Sequence, residues 1–573
     1  MTMSGATTMR WQIAPPPSAW QREAYGDLPP LVADVLGARG ILPERAAAFL
    51  TAHTAPLGMP EDLPGMTAAT CRIAAALRDR ETICVYGDYD ADGLTAQAVL
   101  VTALRAWGFP DVRLYTPHRD REGYGLNADA LMALADAGVH LVIAVDCGIS
   151  DAAAIAHARE RGLDVIVVDH HRIPATLPDA IIVNPHDADS DYPHRDFAAV
   201  GVVYTLVRAI ARNSGFSRPP RALIDRLLSL VALGTVADVV PLTGENRTLV
   251  AAGLRALRRT THPGLRALIE IAHLPFAGLD ASHIAFALAP RLNAPGRLRG
   301  ADAVHRLLMP ESEQDARLAA FALEEANLER RHEQERVLAE AIAYVESDPA
   351  HTAGNLLFVG GAGWSGGVVG LVASKLVERY GRPAFVYERG EATSKGSARG
   401  IAGFDIGRVL AANAHLCIKQ GGHPRAGGFT AANEHLDDLR DALLRTADTL
   451  TTDDLTPILH LDAEATHAEL TMEMVDHLAH LAPFGQGNPE PALLVPRVQV
   501  RYPKTVGAEG QHLMFTAALD NRAAVRCIAF GMGERETELR HHDRMDLAVT
   551  LQRDVWQGDE RLQLRVRDFR PSR

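Results

Sequence analysis

The stretch TICVYGDYDADGLTAQAVLVTALRAW at 82–107 decides the fold of this chain. It begins with a short apolar run at 82–86, passes through a turn with three aspartates, and continues as a helical pattern over 94–107. An apolar strand followed by a turn and a helix is the repeating unit of a parallel β-sheet with both faces covered. Further predicted strands lie at 112–115, 141–145, 165–168 and 180–183, with predicted helices at 128–137 and 152–161. The sequence therefore predicts an α/β fold with right-handed crossovers.

A length of 573 residues predicts a multidomain chain, because one core seldom organises so many residues. The segment at 329–336 is polar all round, which is typical of a long helix that bridges domains through solvent. The alternating pattern near the end of the chain is typical of a small antiparallel β-barrel. The predicted divisions are a Pro-interrupted arm or cap at 1–65, a parallel-sheet domain at 66–310, a connecting helix at 311–348, a smaller α/β domain at 349–452 and a β-barrel at 453–573.

Composition limits the classes of function. The formal net charge of −13 gives no overall sign of nucleic-acid binding, so any such site must be a local Arg-lined groove. The five cysteines are odd in number and form no CxxC pair, which favours reduced core thiols in a cytoplasmic protein over disulfides or a zinc site. We find no apolar signal core and no run long enough to span a bilayer, and therefore expect no membrane association.

The first candidate site is the acidic turn GDYDADG at 87–93. Asp88, Asp90 and Asp92 fall within five residues, and Gly87 and Gly93 allow the tight turn that they need. Ionised carboxylates crowded in this way repel one another unless a cation lies among them. The alternative is a plain acidic turn in which Asp92 caps the following helix.

Three more clusters follow apolar segments. Asp146 ends one predicted strand, while Asp169, His170 and His171 end the next. Because adjacent histidines cannot both face inward from a strand, one is free to bind a metal while the other addresses a substrate. Asp238 is a lone acid in an apolar segment, where a charge is costly unless it is paired. Asp146 taken alone could simply cap the next helix.

The common position of these clusters strengthens the prediction of a metal site. In open parallel sheets, sites form outside the carboxyl ends of the strands, and the first three clusters all lie there. Together they offer enough Asp and His for two hard divalent ions, and this oxygen-rich set favours Mn²⁺ or Mg²⁺ over zinc. Two such ions can stabilise the attacking and leaving oxygens of phosphodiester hydrolysis.

The ordered motifs GDYDADG, VDCG, VDHH and VADVVPL resemble those of the DHH phosphoesterase superfamily, and within it the RecJ family of exonucleases. The resemblance covers about residues 66–573. It implies that His171 faces the scissile phosphate and that Asp169 orients a histidine. The metal ligands that it implies are Asp90, Asp92, Asp146, His170 and Asp238, with Asp88 close enough to support or share that role. It also makes 349–452 a DHH-associated domain and 453–573 an OB-fold entered through the linker PFGQGNPEP at 483–491.

Other segments resemble the phosphate-binding parts of the same family. They are YTPHRDREGYG at 115–125, APRLNAPGRL at 289–298, GSARG at 396–400 and GGHPRAGGF at 421–429. The implied DNA or phosphate contacts are Arg119, Asn293, Arg297, Ser397, Arg399, His423 and Arg425. Without the family, solvated polar loops would explain the first two segments. Ser365 stands where the family usually has a His, so we assign it no polar role.

The resemblance implies a 5′-to-3′ exonuclease that is specific for single-stranded DNA, uses two Mn²⁺ or Mg²⁺ ions and releases 5′ mononucleotides in DNA repair and recombination. The expected partners are single-stranded DNA, a single-stranded-DNA-binding protein and a helicase, and a monomer is expected by default. One alternative is a small-substrate DHH phosphodiesterase that acts on short oligonucleotides or cyclic dinucleotides. The additional β domain argues against it. Another alternative is a non-catalytic scaffold, which has no reason to crowd uncompensated carboxylates.

Overall fold

A computed structural model describes residues 9–118, 121–213, 215–298, 301–520, 524–556 and 559–572. Its internal contacts divide the chain into two units, and each is described by itself. One unit comprises Met1–Ala46, Glu329–His480 and Pro491–Arg573, and the other comprises Ala47–Leu328 and Leu481–Glu490. The boundaries between these units fall within the predicted arm at 1–65, within the predicted connecting helix at 311–348 and on both sides of 481–490.

The N-terminal segment contains a strand as well as helices. Its elements are β1 (Arg10–Ile13), α1 (Ala19–Ala24), α2 (Pro30–Ala38) and α3 (Pro43–Leu50). Strand β1 pairs in parallel with Ile458–Leu461, so Trp11 lies opposite Leu459. The Trp11 indole also donates a hydrogen bond of 2.7 Å to Asp568. The weakly helical arm that the sequence predicts is thus tied to the C-terminal part of the chain.

The predicted parallel sheet is confirmed. Its elements and flanking helices are α4 (Met66–Asp79), β2 (Ile83–Gly87), α5 (Ala91–Ala106), β3 (Val112–Tyr115), α6 (Ala128–Asp136), β4 (Leu141–Val145), α7 (Ala152–Glu160), β5 (Asp164–Val168) and β6 (Ile181–Val183). The strand order is β3-β2-β4-β5-β6, and every pairing is parallel. Strands β2, β4 and β5 are therefore neighbours, which brings their carboxyl ends to one edge.

Both faces of this sheet are buried. Ile83, Val85 and Ile143 belong to one apolar cluster, whereas the intervening Cys84 and Val142 belong to another. Successive side chains of a strand point to opposite faces, so continuous apolar runs are what a doubly covered sheet requires. Because both faces are buried, the strands are held in place, and so are the strand ends that carry the candidate site.

A helical segment follows the sheet. It comprises α8 (Ala199–Arg212), α9 (Arg221–Ala237), α10 (Gly244–Leu257), α11 (Pro263–Ile271), α12 (Ala281–His283), α13 (Ala289–Leu298) and α14 (Asp302–Leu308). A π-helical turn, Ile284–Leu288, joins α12 to α13. Single π-helical turns often mark functional positions in helices.

The predicted long helix is α15 (Glu313–Ser347). It has buried side chains at both ends: Ala319 and Leu323 belong to one apolar cluster, and Val337 belongs to another. Its centre at 329–336 is mostly exposed, as the polar sequence predicts, but Arg330 is buried there.

The second α/β region has a mixed sheet. Its elements are α16 (Pro349–Ala353), β7 (Leu357–Ala362), α17 (Val369–Tyr380), β8 (Ala384–Arg389), β9 (Thr393–Arg399), α18 (Ile406–Ala412), β10 (Lys419–His423), β11 (Ala426–Ala432) and α19 (Leu436–Ala447). The strand order is β10-β11-β9-β8-β7, with β7 and β8 parallel and the other pairings antiparallel.

The C-terminal region is a closed barrel of the OB type. Its elements are α20 (Thr452–Leu455), β12 (Ile458–Leu461), β13 (Ala463–Glu464), α21 (Met472–Ala479), β14 (Leu493–Val506), β15 (His512–Ala518), β16 (Val525–Ala529), α22 (Glu536–His541), β17 (Met545–Trp556) and β18 (Asp559–Pro571). The strands pair in the order β14-β15-β16-β18-β17, and β14 also pairs with β17. This second pairing closes the barrel and leaves no free edge in that circuit.

The segment 481–490 is held by the unit of the parallel sheet. Leu242 donates a backbone hydrogen bond of 2.7 Å to Gln486, and the buried Arg247 guanidinium donates one of 2.8 Å to the carbonyl of Leu481. The sequence predicts a linker at 483–491. In the structure these residues are anchored in the unit that contains α10.

All five cysteines are free, as expected. Cys84, Cys147 and Cys527 are buried, but Cys71 is exposed on α4, so the expectation of core thiols is wrong at that position. In the described part of the chain, no helix combines the length and the apolar character that crossing a membrane requires.

Candidate metal centre

Adjacent strands deliver acidic side chains to one edge of the parallel sheet. Asp88 follows β2, Asp146 follows β4, and Asp169 follows β5. The backbone pairing continues one step past the strands, because Asp146 N donates to Val168 O at 3.1 Å. All three carboxylates are buried, although the sheet edge is where the chain turns back towards solvent. The position is the one expected for a ligand site in an open parallel sheet.

The acidic turn uses Asp90, and not Asp92, to cap α5. Asp90 Oδ1 accepts hydrogen bonds from Asp92 N at 2.9 Å and from Gly93 N at 3.1 Å. The alternative in which Asp92 caps this helix is therefore wrong. Asp92 instead accepts hydrogen bonds from Ala199 N at 2.6 Å and Val200 N at 3.0 Å, at the start of α8. One carboxylate thus caps a helix that is distant in sequence, a role that local patterns do not reveal.

Close backbone contacts fix the shape of this turn. A Cβ on Gly93 would lie 2.6 Å from the carbonyl oxygen of Asp88, so only glycine fits there. The side-chain oxygen of Asn293 accepts a hydrogen bond of 2.7 Å from Ala91 N. Gly296, one turn further along α13, packs directly against the backbone of the same acidic turn. Asn293 therefore has at least the role of holding the carboxylate loop in place.

Three groups of side chains in the described residues have the spacing of metal ligands. In each group, the potential ligand atoms lie within 4.8 Å of one another. The groups are Asp88, Asp90 and Asp146; Asp92, His170 and Asp238; and Asp146, His170 and His171. Asp146 and His170 each belong to two groups, and His170 Nε2 lies 3.2 Å from Asp146 Oδ1. The arrangement can therefore serve two neighbouring ions with shared ligands.

A hydrogen bond to the backbone orients the ring of His170. Its Nδ1 lies 2.8 Å from the carbonyl oxygen of Phe197, which can only accept a hydrogen bond. Nδ1 must then carry a proton, so Nε2, which faces Asp146 and Asp238, is the ring nitrogen that is available to a metal ion. A backbone partner of this kind is the usual support for a metal-binding histidine.

His171 is held by a buried carboxylate. Its Nδ1 lies 2.7 Å from Asp169 Oδ1, and Asp169 also accepts backbone hydrogen bonds from His170, His171 and Ile149. Burial opposes ionisation of Asp169, but the hydrogen bond from His171 and the neighbouring imidazoles outweigh it and lower its pKa. Burial likewise opposes protonation of His171, yet Asp169 raises its pKa overall. The structure thus favours an ionised Asp169 beside a proton-bearing His171.

The crowded carboxylates resist ionisation. Burial, with a further contribution from Asp90, raises the pKa of Asp92 to about 6. Burial and the charge of Asp92 raise the pKa of Asp238 to about 8. The pKa of Asp146 lies well above its usual range because it is buried and faces the neighbouring carboxylates. A bound cation would relieve this repulsion.

The backbone is strained at two positions of the site. Asp146 has φ of 63° and Val239, directly after Asp238, has φ of 61°. The left-handed region is costly for a β-branched residue, so surrounding contacts must impose it at Val239. At Asp146, the Tyr124 hydroxyl donates a hydrogen bond of 3.2 Å to the carbonyl oxygen. The same hydroxyl lies 3.3 Å from His171 Nδ1. The sequence indicated the segment 115–125, which contains Tyr124, but assigned a role there only to Arg119.

The candidate phosphate-binding residues are only partly described. Arg119 lies outside the described residues, and the structure describes the backbone of Arg297 in α13 but not its side chain. In the other unit, Ser397 and Arg399 lie on β9 beside the start of α17. A Cβ on Gly370, in the first turn of α17, would be 3.1 Å from Arg399 Nη2 and 3.3 Å from Ser397 Oγ. These side chains therefore meet a helix N-terminus, which favours an anion.

His423 and Arg425 belong to the hairpin next to this strand. His423 ends β10, and both side chains are exposed. The carbonyl of Arg425 accepts a hydrogen bond of 2.9 Å from Gly400 N, which ties the hairpin to the end of β9. The structure thus brings four predicted phosphate contacts of this unit onto one sheet and its connecting turn.

The class of protein follows from three matches to family models. The DHH family, N-terminal domain, matches residues 82–235, which include the parallel sheet and most of the metal centre. The DHHA1 domain matches residues 352–449, and the RecJ OB domain matches residues 461–568. The parallel sheet and its acidic edge are thus those of a DHH-family domain.

Individual relatives define the family more closely. The single-stranded-DNA-specific exonuclease RecJ of Bacillus subtilis is 36% identical over 570 residues, which cover 98% of this chain and 71% of that protein. RecJ of Salmonella typhimurium is 33% identical over 96% of this chain and 97% of its own length. The crystal structure of RecJ from Thermus thermophilus in complex with Mn²⁺ matches with a TM-score of 0.84 and 29% identity, over 98% of this chain and 80% of that one. The chain belongs to the RecJ family.

Proposed function

We propose that this protein is a single-stranded-DNA-specific exonuclease that hydrolyses phosphodiester bonds in the 5′-to-3′ direction with two divalent ions and releases 5′ mononucleotides. The observation that carries the proposal is the position of Asp146, which belongs to two of the ligand groups. A carboxylate shared in this way is suited to holding two ions close together. The relatives that match over most of the chain are named for the same substrate.

The residues present fit hard divalent cations. The donors are carboxylate oxygens with one or two imidazoles, a set that suits Mn²⁺ or Mg²⁺. The raised pKa values of Asp92 and Asp238 indicate that the protein alone does not stabilise the ionised form of these carboxyl groups. Structures of the Thermus thermophilus relative are in complex with Mn²⁺ and with Mg²⁺. Two such ions would stabilise the attacking and leaving oxygens of the reaction. We assign Asp88, Asp90, Asp92, Asp146, His170 and Asp238 as their ligands.

Side chains of the protein would contact the reacting phosphate directly. Asp169 fixes His171 through Nδ1, so the other ring nitrogen can address a phosphoryl oxygen. The raised pKa of His171 favours its protonated form, which would offset negative charge on that oxygen. Tyr124 contacts both His171 and the backbone of Asp146, which couples the position of the imidazole to that of the carboxylate.

The direction of degradation requires recognition of one strand end. Ser397 and Arg399 on β9 offer hydroxyl and guanidinium donors for a terminal 5′ phosphate, and the adjacent start of α17 offers backbone amides. Such a phosphate would anchor the 5′ end and set the polarity. Further phosphate contacts are assigned to Arg119, Asn293, Arg297, His423 and Arg425.

The additional barrel favours long substrates over dinucleotides. OB-folds bind single strands through a groove and by stacking, whereas a small-substrate phosphodiesterase needs no distal surface. We accordingly divide the chain into an arm at 1–65, a DHH domain at 66–310, a connecting helix at 311–348, a DHH-associated domain at 349–452 and an OB domain at 453–573. We also propose that the protein acts in the cytoplasm as a monomer. Its proposed partners are single-stranded-DNA-binding protein and a helicase.

The test follows products from 5′-labelled and 3′-labelled single-stranded DNA in Mn²⁺ or Mg²⁺. A 5′-labelled strand should yield labelled mononucleotide from the first turnover, whereas a 3′-labelled strand should shorten progressively. Asp146→Ala should abolish hydrolysis but keep the fold and most of the DNA binding, because the side chain is a poor determinant of the fold. Near-normal turnover by this variant would overturn the metal assignment. Mononucleotides released first from the 3′ end would overturn the polarity.

A further inference from the structure

Helix α10, which follows the segment of Asp238, begins with a run of buried polar side chains. Four consecutive residues near its start are polar and almost fully buried, namely Glu245, Asn246, Arg247 and Thr248. A buried polar group is costly unless it is hydrogen-bonded, so each of these side chains is expected to hold a specific partner. The fully buried Asn246 contacts two segments of the candidate metal centre.

The amide of Asn246 joins two backbone segments. Its Nδ2 donates hydrogen bonds to the carbonyl oxygen of Asp196 at 2.5 Å and to that of Pro241 at 3.0 Å. Carbonyl oxygens only accept hydrogen bonds, so the amide nitrogen, which carries both protons, must face the two of them. The acceptors are far apart in sequence, and this one side chain therefore fixes the distance between their loops.

The first of these segments supports two candidate metal ligands. Phe197, next to Asp196, accepts through its carbonyl oxygen the hydrogen bond of 2.8 Å from His170 Nδ1. Slightly further along the chain, Ala199 N donates a hydrogen bond of 2.6 Å to Asp92 Oδ2. A shift of this segment would therefore turn the imidazole of His170 and move the carboxylate of Asp92 at the same time.

The second segment carries Asp238 itself. Helix α9 ends directly before Asp238, and Pro241 follows in the turn that leads to α10. Val239 in this turn has φ of 61°, a strained value for a β-branched residue that persists only where other contacts impose it. The hydrogen bond from Asn246 to Pro241 is such a contact. It holds the turn in which Asp238 Oδ2 lies 3.8 Å from His170 Nε2.

We infer that Asn246 is a positioning residue for the ion that Asp92, His170 and Asp238 hold. The inference rests on the proposed function, because it takes these three side chains to be metal ligands. Asn246 acts through the backbone: by fixing both segments, it keeps the three ligand atoms at the spacing that one ion requires. Removal of a partner of this kind typically lowers metal affinity by roughly 10- to 100-fold.

The other candidate ion should be affected much less. Its ligands Asp88, Asp90 and Asp146 follow strands β2 and β4, and Asn293 of α13 holds the acidic turn. The supports of this group thus come from the sheet and from α13. Loss of the Asn246 amide should weaken one of two metal-binding steps, whereas a general loosening of the fold would weaken both.

Asn433 provides a matched control in the other unit. Its Nδ2 likewise donates two hydrogen bonds to carbonyl oxygens, those of Gly390 at 2.9 Å and Glu391 at 3.0 Å, in the turn between β8 and β9. Asn246→Ala and Asn433→Ala each remove two hydrogen bonds of the same type, and both should lower the thermal stability in chelator. A change in metal binding that is confined to position 246 therefore does not come from the loss of such bonds alone.

The first experiment titrates the full chain with Mn²⁺ by calorimetry in the absence of DNA. Asn246→Ala should raise the Kd of one binding step about tenfold or more and leave the other at its wild-type value. Asn433→Ala should keep both wild-type values. Unchanged Kd values in Asn246→Ala, or equal weakening of both steps, would overturn the inference. A wild type that binds no Mn²⁺ would refute the proposed metal centre itself.

The second experiment measures hydrolysis of a single-stranded oligonucleotide against Mn²⁺ concentration. In Asn246→Ala the half-saturating Mn²⁺ concentration should rise by about the same factor as the Kd, while the KM for DNA stays at its wild-type value. At saturating Mn²⁺ the kcat should recover, because the ligands themselves are intact. A lower kcat with a wild-type half-saturating concentration would contradict the positioning role.

A second variant covers the case in which Asn246→Ala does not fold, as judged by circular dichroism. Asn246→Ser leaves a smaller void and keeps a hydroxyl donor, but one hydroxyl proton cannot serve two carbonyl oxygens. Its Kd for the affected binding step should therefore also rise. A folded Asn246→Ser with wild-type metal binding would overturn the inference.

Discussion

Replacing Asp238 with asparagine should remove a proposed metal ligand while the protein still folds. In the metal-free protein, burial and the charge of Asp92 raise the pKa of Asp238 to about 8, and its side chain is only 24% exposed. The ordinary pKa of this carboxyl is 3.8. At pH 7 the folded protein must bind a proton there that the unfolded chain does not bind. The need to bind this proton lowers the free energy of unfolding by as much as roughly 4 kcal/mol at pH 7, because each pH unit above the ordinary pKa contributes about 1.36 kcal/mol.

Asp238→Asn should therefore be more stable than the wild type in chelator and inactive in Mn²⁺. Because the folded pKa is raised, the penalty in the wild type is absent below about pH 4 and grows as the pH rises towards 8. The stability advantage of the variant should follow the same course. In Mn²⁺ the advantage should shrink or reverse, since ligand binding stabilises the wild type by about 2.7 kcal/mol at a hundredfold excess over Kd.

The assay is thermal unfolding at pH 5, 6, 7 and 8, in chelator and in Mn²⁺, together with hydrolysis of labelled single-stranded DNA. Asp225→Asn on the same helix is the matched control, because Asp225 is in a solvent-exposed ion pair with Arg221 that contributes little to stability. A variant at Asp238 that is less stable than the wild type in chelator at pH 7 would refute the electrostatic reasoning. A stability difference that does not depend on pH would refute it as well.

Three further predictions concern separate parts of the chain. Binding of Mn²⁺ should release protons near pH 6, because burial raises the pKa of Asp92 to about 6 and a metal ligand must be ionised. The measurement is the calorimetric binding enthalpy in buffers of different ionisation enthalpy. Enthalpies that do not differ between these buffers would contradict the prediction. The double variant Ser397→Ala, Arg399→Ala should lose about tenfold or more of the preference for 5′-phosphorylated over 5′-hydroxyl DNA, and an unchanged preference would remove the proposed end anchor. Trp11→Ala should lower the stability of the barrel unit by about 2 kcal/mol, because the indole donates a hydrogen bond to an aspartate of β18 and an arginine of that strand stacks on it. The exposed Trp20→Ala should have little effect, and equal destabilisation by the two variants would contradict that role for Trp11.

The parallel sheet could be predicted because its signals are local. The strands Val112–Tyr115 and Leu141–Val145 have the bounds that the sequence predicts, since strands buried on both faces are continuous apolar runs between turns. Helix α5 begins three residues earlier than predicted, because the cap is Asp90. The prediction that the acidic and histidine clusters share one sheet edge follows from the parallel order alone, and the structure places them there.

What could not be predicted depends on contacts between distant residues. Asp92 caps a helix that begins more than a hundred residues later in the chain. Tyr124 lies in the segment 115–125 that resembles a phosphate-binding loop, but nothing in that motif indicated that its hydroxyl contacts the backbone of Asp146. The segment 481–490 resembles a linker in sequence, but the buried Arg247 anchors it to its own unit. None of these contacts leaves a periodic pattern, because each depends on one polar side chain that finds a partner only after the chain has folded.

The parallel pair of β1 with β12 sets a delay during synthesis of the protein. Strand β1 leaves the ribosome early, but its partner Ile458–Leu461 lies roughly 450 residues further along the chain. At about 5–20 residues per second, the N-terminal strand waits on the order of 20–90 s with unpaired backbone groups before that partner has been made. During that interval β1 is an edge open to pairing with other strands, so its shortness and its polar residues Arg10 and Gln12 limit association with neighbouring nascent chains.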